Sequence, residues 1–237
     1  MGLFDAQIKE LGSSIETWEA AGRLKTFDLA GLSEWPRGET LVLQEDCGLE
    51  LGNPSTASIT FLMWADAGTV DRGSVRLVGP DALETAGGTV PFAQVIVARG
   101  EFADEYEAFR DLRDAVYGVR LEGFMPRTLP SRQTTWCRVS RDALARGFSL
   151  GHLGAALVED LCELDNVSTA EVLFVTGSIE EVNSLSGTAS GARRVVDALM
   201  KMYTEKNFDC TTCEYRDVCD SVMELKVIRE KLAQERT

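Results

Sequence analysis

Apolar residues open the chain at helical spacing and then give way to short runs with the rhythm of strands. Leu3, Ile8, Leu11 and Ile15 fall near a 3.6-residue period, which predicts a helix over 3–18. A polar, glycine-bearing stretch follows, and Pro36-Arg37-Gly38 marks a boundary. Strands are then predicted at 40–44, 58–65, 74–78 and 92–98. They are separated by the turn sequences Gly52-Asn53-Pro54, Gly79-Pro80-Asp81 and Gly87-Gly88. Phe102, Tyr106, Phe109, Leu112 and Val116 line one face of a helix over 101–117, which Gly118 is suited to stop. The stretch from Glu122 to Gln133 reads as a loop leading into a strand at 134–139. Short helices follow at 141–146 and 150–163, then an apolar strand at 171–176. Ser178 and Glu181 have the spacing of a capping box, and further helices are predicted at 190–205 and 220–235.

Strands followed by mixed helices and strands predict an α+β or α/β fold, a mixed sheet flanked by helices. Three segments suggest themselves: an N-terminal helical segment over 1–36, a body over 37–205, and a cysteine motif with a C-terminal helix over 206–237. In that last helix Val222, Leu225, Ile228 and Leu232 form a narrow apolar stripe. Such a stripe packs on the body or pairs two copies as a homodimer, and packing on the body is the simpler expectation.

Composition narrows the function. A hydrophobic content of 44% supports a sizeable core, while a formal charge of −14 disfavours nucleic acid or an anionic membrane as partner. The N-terminus lacks the pattern of a secretory signal, and the apolar run "ITFLMWA" falls well short of the ~18 residues that cross a bilayer. A cytoplasmic protein is expected. The phosphate-binding patterns G-x-G-x-x-G and G-x4-G-K-[ST] are absent. His152 is the single histidine, which excludes zinc sites needing two histidines from one chain, and its place at the start of a helix suits a structural role. No carboxylate pair is singled out for acid–base work, so hydrolase chemistry is not expected and no catalytic residue is assigned.

Two groups of residues carry candidate chemistry. Cys210, Cys213 and Cys219 read C-x2-C-x5-C in "FDCTTCEYRDVCDSV". Thiolates at this spacing grip a metal ion or one corner of an iron–sulfur cluster, and spacing alone fits a 4Fe–4S cluster or zinc. Either closed site takes four ligands. The fourth is sought in Asp220 or Glu224, in Cys47, Cys137 or Cys162, or in a partner chain. Taken singly, those three scattered cysteines read as small buried hydrophobes. The second group lies between Arg110 and Arg146, where eight arginines against four acids leave a window of net +4 in an acidic protein. Arginine without lysine suits phosphate or carboxylate recognition. Arg110, Arg113 and Arg141 sit beside acids and read as structural pairs, whereas Arg127, Arg132 and Arg138 are equally open to a ligand role.

The middle of the chain resembles acetyl-CoA synthase, the beta subunit of the carbon monoxide dehydrogenase/acetyl-CoA synthase complex. The similarity lies in "CGLELGNPSTASITFLMW", "GSVRLVGPD", "GTVPFAQVIVARG" and "RQTTWCRVSRDALARGFSLGHLGAALVEDL", and covers roughly residues 45–180. In the last segment Arg132, Trp136, Arg138, Val139, Ser140, Asp142, Ala143, Gly147 and Phe148 keep the family's order and spacing. The resemblance implies the fold of that family's middle domain. It further implies that Cys210, Cys213 and Cys219 correspond to the first ligands of a 4Fe–4S cluster, and that Arg132, Trp136 and Arg138, with Arg127 in a loop longer than the family's, face coenzyme A. The family's later Cys-Gly-Cys nickel-binding segment has no counterpart here, so the chain reads as a shortened form that does not synthesise acetyl-CoA alone. Expected partners are subunits of a carbon monoxide dehydrogenase/acetyl-CoA synthase-type complex or a corrinoid protein. The alternatives from other classes are a small iron–sulfur electron-transfer or sensor protein and a zinc-stabilised interaction domain.

Overall fold

The computed structural model describes residues 2–53, 55–67, 73–85, 87–129, 133–205, 210 and 212–235. Helix α1 (Asp5–Ala20) leads into strand β1 (Leu24–Thr26). Strands β2 (Cys47–Leu51), β3 (Ser58–Asp66), β4 (Ser74–Val78), β5 (Gly88–Val90) and β6 (Phe92–Gly100) precede helix α2 (Glu105–Gly118). A hairpin of β7 (Phe124–Leu129) and β8 (Thr134–Ser140) is followed by helices α3 (Arg141–Ala145) and α4 (Leu150–Cys162) and strand β9 (Val167–Val175). The chain closes with helices α5 (Ile179–Ser184), α6 (Ser186–Thr204), α7 (Arg216–Ser221) and α8 (Met223–Glu235). The expected mixed α/β fold is what forms.

The strands make two sheets. The larger has the order β1-β4-β9-β6-β3 and mixes parallel pairs (β4 with β9, β6 with β3) with antiparallel ones. Its inner strands β6 and β9 are buried along most of their length, as strands covered on both faces are. The smaller sheet has the order β5-β2-β8-β7. Helix α4 lies against β4 and β9 of the larger sheet, and Gly154 allows the close approach. A Cβ there would stand 2.3 Å from Val75 Cγ1. Helix α6 packs on β3 and also receives α1, α2, α7 and α8. The two sheets meet where β8 runs beside β3, with Ser58 Oγ donating to the Thr135 carbonyl at 2.7 Å.

Three expectations fail in instructive ways. Residues 40–44 form no strand. Their only buried side chain is Val42, and the Val42 backbone is taken up by side chains instead: its N–H reaches Met125 Sδ at 3.4 Å and its carbonyl accepts from Arg138 at 3.4 Å. The loop predicted over 122–133 contains β7, an edge strand in which Pro126 withholds no ladder hydrogen bond. The single helix predicted over 220–235 is broken at Val222, whose extended ψ of 108° ends α7 before α8 begins. The predicted apolar stripe packs inward: Leu225 is fully buried, and Val222, Ile228 and Leu232 rest against the core.

Candidate metal centre and aromatic face

The C-terminal segment folds back along α6. The turn before α7 is fixed by two backbone bonds, Arg216 N–H to the Cys213 carbonyl at 3.2 Å and Cys219 N–H to the Tyr215 carbonyl at 3.0 Å. Ion pairs pin it to α6, Arg194 with Asp217 at 2.8 Å and Lys201 with Glu214 at 3.2 Å, both largely exposed and each worth little alone. Buried Val218 and Cys219 supply the apolar contact. In consequence Cys210, Cys213 and Cys219 all line one small pocket of about 10 Å³ beside Met202, Lys201 and Arg229. The triplet predicted from sequence is brought together. Burial pushes the Cys219 thiol up; the neighbouring Cys213 and Cys210 push the same way against Arg229. Among the described residues, however, no three His, Cys, Asp or Glu side chains stand close enough to hold an ion as they are.

As a donor set the pocket fits a thiophilic metal: three sulfur ligands, with the cations Lys201 and Arg229 at its wall to offset their charge. The candidates for a fourth ligand fare unequally. Asp220 is held by Arg229 at 3.0 Å and by Arg216 at 3.6 Å, and the Arg229 hydrogen bond keeps its carboxyl below the usual range. Cys47, Cys137 and Cys162 belong to β2, β8 and the end of α4, and none lines this pocket. Cys137 is fully buried, which pushes its thiol far up, as expected of a core residue. Sequence reading missed Lys201 and Arg229. They flank the motif on α6 and α8, outside its spacing, and only the fold-back of α7 and α8 shows that they meet it.

The arginine candidates gather on one face of the smaller sheet. In the β7–β8 ladder Arg127 stands opposite Trp136, and Arg138 stands opposite Met125 on the same face. Both guanidinium groups lie over the Trp136 ring, at 5.2 Å for Arg127 and 4.7 Å for Arg138. Their surroundings differ. Arg138 is tied down: it pairs with Glu50 at 2.9 Å, donates to Gln44, and reaches the Val42 carbonyl. Arg127 is exposed and forms no ion pair with a described acid. The indole N–H of Trp136 is buried without a partner among the described residues. Arg132 lies outside the described residues.

His152 takes the structural role expected of it. Its Nδ1 accepts from the Ser149 N–H at 3.0 Å at the start of α4, and its ring lies 4.8 Å from that of Trp35. Burial pushes its pKa down, with Asp81 partly opposing. No helix among the described residues is long and apolar enough to cross a membrane.

These features define a mixed α/β scaffold with a thiol-lined C-terminal clasp and a separate aromatic–arginine face. The chain belongs to the family described as the CO dehydrogenase/acetyl-CoA synthase complex beta subunit, which residues 32–180 match. That span contains Arg127, Trp136 and Arg138 but ends before the cysteine triplet. Among curated relatives, the acetyl-CoA decarbonylase/synthase complex subunit beta of Methanopyrus kandleri is 35% identical over 116 residues, which is 48% of this chain and 24% of that protein. The subunit beta of Methanothermobacter thermautotrophicus is 37% identical over 111 residues, 46% of this chain and 23% of that protein. The subunit beta 2 of Methanosarcina thermophila is 26% identical over 195 residues, 79% of this chain and 40% of that protein. The matches thus span well under half the length of these relatives.

Proposed function

We propose that this chain is an accessory component of a CO dehydrogenase/acetyl-CoA synthase-type assembly in the cytoplasm, carrying a thiolate-held metal centre and offering a face to coenzyme A. The observation that carries the reading is the convergence of Cys210, Cys213 and Cys219 on one pocket beside Lys201 and Arg229. Family membership, and relatives named as subunits of an acetyl-CoA decarbonylase/synthase complex, support the assembly; the thiolate spacing supports the cluster. A bound cluster would supply one-electron transfer or an exchangeable iron site. The chain's own residues bind and hold: Lys201 and Arg229 offset the thiolates, and the paired Arg194–Asp217 and Lys201–Glu214 keep the clasp on α6.

For coenzyme A, the exposed Arg127 offers a guanidinium to a phosphate, and the Trp136 ring beneath it holds that guanidinium in place. Titration calorimetry tests this face. Binding that weakens roughly tenfold or more in Trp136→Leu supports it; unchanged affinity removes Trp136 from the proposed site.

A second reading is favoured by the size of the thiol pocket. About 10 Å³ is room for one water-sized sphere, which suits a single zinc ion better than a cubane. Zinc would act as a clamp that fixes α7 and α8 to the body. Reconstitution with iron and sulfide distinguishes the two: a broad absorption band at about 400 nm marks the cluster, and its absence with about one tightly bound zinc marks the clamp.

A further inference from the structure

One sizeable cavity bounded by the described residues belongs neither to the cysteines nor to the Trp136 face. It is a cleft of about 480 Å³ on the other side of the smaller sheet, where Thr135 and Cys137, the neighbours of Trp136 in β8, point. Helices α2 and α4 close it with Val116, Leu153 and Leu157. Its volume lies in the range of pockets that take small organic molecules.

One buried carboxamide faces the cleft, and a second buried polar group lies beside it on the neighbouring strand. Gln94 on β6 is 7% exposed, lines the cleft, and makes no side-chain hydrogen bond to any described residue. Its register partner on β3 is Thr60, which is 5% exposed and has an Oγ1 without a partner among the described residues. Thr60 lines a smaller adjoining cavity of about 200 Å³ that shares Val116 and Tyr117 with the cleft. Polar side chains in the middle of a sheet are normally satisfied, because each orphaned group forfeits its solvation. The buried Thr60 Oγ1 faces the smaller cavity, while the Gln94 carboxamide, with no side-chain partner among the described residues, faces the cleft and stands open to a ligand there.

The wall also states the ligand's charge. Only Glu39 and Arg120 carry charge there, and they pair with each other at 3.1 Å with side chains 83% and 42% exposed, at the mouth. The interior holds hydroxyls, a carboxamide and apolar side chains. An ion would enter without a counter-charge, at a cost of several kcal/mol. A carboxamide meets an amide best, donor to acceptor and acceptor to donor.

We propose that this cleft binds a neutral small molecule bearing a secondary amide, which pairs with the Gln94 carboxamide while its apolar body rests on Val116, Leu153 and Leu157. The probe is N-acetyl-leucine methylamide, compared with the anionic N-acetyl-leucinate, on the full chain by ligand-observed NMR and calorimetry. The expected result is saturable binding of the neutral probe, with intermolecular NOEs to the Val116 and Leu157 methyl groups and at least tenfold weaker binding of the anion. Gln94→Leu, with folding checked by circular dichroism, is expected to weaken the neutral probe about tenfold. Leu153→Phe, which narrows the cleft from α4, serves if that variant does not fold. Lack of saturation up to about 10 mM, absence of those NOEs, equal binding of the anion, or affinity unchanged in Gln94→Leu overturns the proposal.

Discussion

Replacing Arg138 by methionine tests whether this arginine is part of the scaffold. Its side chain is 13% exposed and that of its partner Glu50 is 11% exposed, so the pair sits largely out of water at 2.9 Å. Arg138 also anchors the 40–44 segment through Gln44 and the Val42 carbonyl, and covers the Trp136 ring. Methionine keeps much of the length but leaves the Glu50 carboxylate with Asn53 Nδ2, at 2.6 Å, as its remaining side-chain donor. Breaking a buried pair from one side costs about 3–5 kcal/mol. For a protein of this size that corresponds to a fall in Tm of roughly 6–20 °C. Urea unfolding and calorimetry read it directly. Adding Glu50→Leu removes the stranded charge and is expected to recover most of the loss, since apolar replacement of a whole buried pair is often neutral. A loss below about 1 kcal/mol in the single variant, or a double variant no more stable than the single one, refutes the reasoning. The double variant then isolates any contribution of Arg138 to coenzyme A affinity from its role in the fold.

Two titrations follow from the buried groups. His152 is needed neutral, because Nδ1 accepts the Ser149 N–H, and burial lowers its pKa in the folded state. The unfolded chain therefore binds the proton more readily. Stability is full above about pH 6.5 and declines as pH falls through the ordinary histidine range toward the lowered value. His152→Ala flattens that dependence in urea titrations and costs about 1 kcal/mol; an unchanged slope contradicts the assignment. Glu105 is the reverse case. Burial raises its pKa against the hydrogen bond from the Trp64 indole, and Asp66, Glu224 and Asp104 add to the rise. Its penalty is absent at acid pH and grows as pH rises through the raised folded value. Glu105→Gln is accordingly expected to match or exceed the parent at pH 7 and to lose that advantage near pH 4. A variant less stable at pH 7 than at pH 4, relative to the parent, contradicts it.

Much of the scaffold was legible because local pattern and final environment agree. The apolar runs of β3, β6 and β9 are buried in the sheet, the face of α2 carrying Leu112 and Val116 turns inward, and Ser178 caps α5 with Glu181 as its spacing implies. Misreadings arose where tertiary partners override the local signal. Thr40-Leu41-Val42-Leu43-Gln44 reads as a short apolar strand, yet Arg138 and Met125, distant in sequence, occupy its backbone. The stretch read as a loop over 122–133 holds an edge strand, where Pro126 is tolerated. The three cysteines were legible as a motif from spacing alone. The cations beside them were not, because Lys201 on α6 and Arg229 on α8 meet the motif only when the chain folds back along α6. Gln94 gave no signal at all: a glutamine inside an apolar strand becomes informative only when a cavity is seen in front of it.

The cysteine pocket carries the proposed function. Its most direct test is metal and acid-labile sulfide content of the full chain purified without oxygen, alongside Cys213→Ser. The account predicts about four iron and four sulfide per chain, or about one zinc without sulfide on the clamp reading, and loss of most of that metal in Cys213→Ser. Less than about a tenth of a metal equivalent in the parent, or full retention in Cys213→Ser, contradicts the assignment of Cys210, Cys213 and Cys219 as ligands.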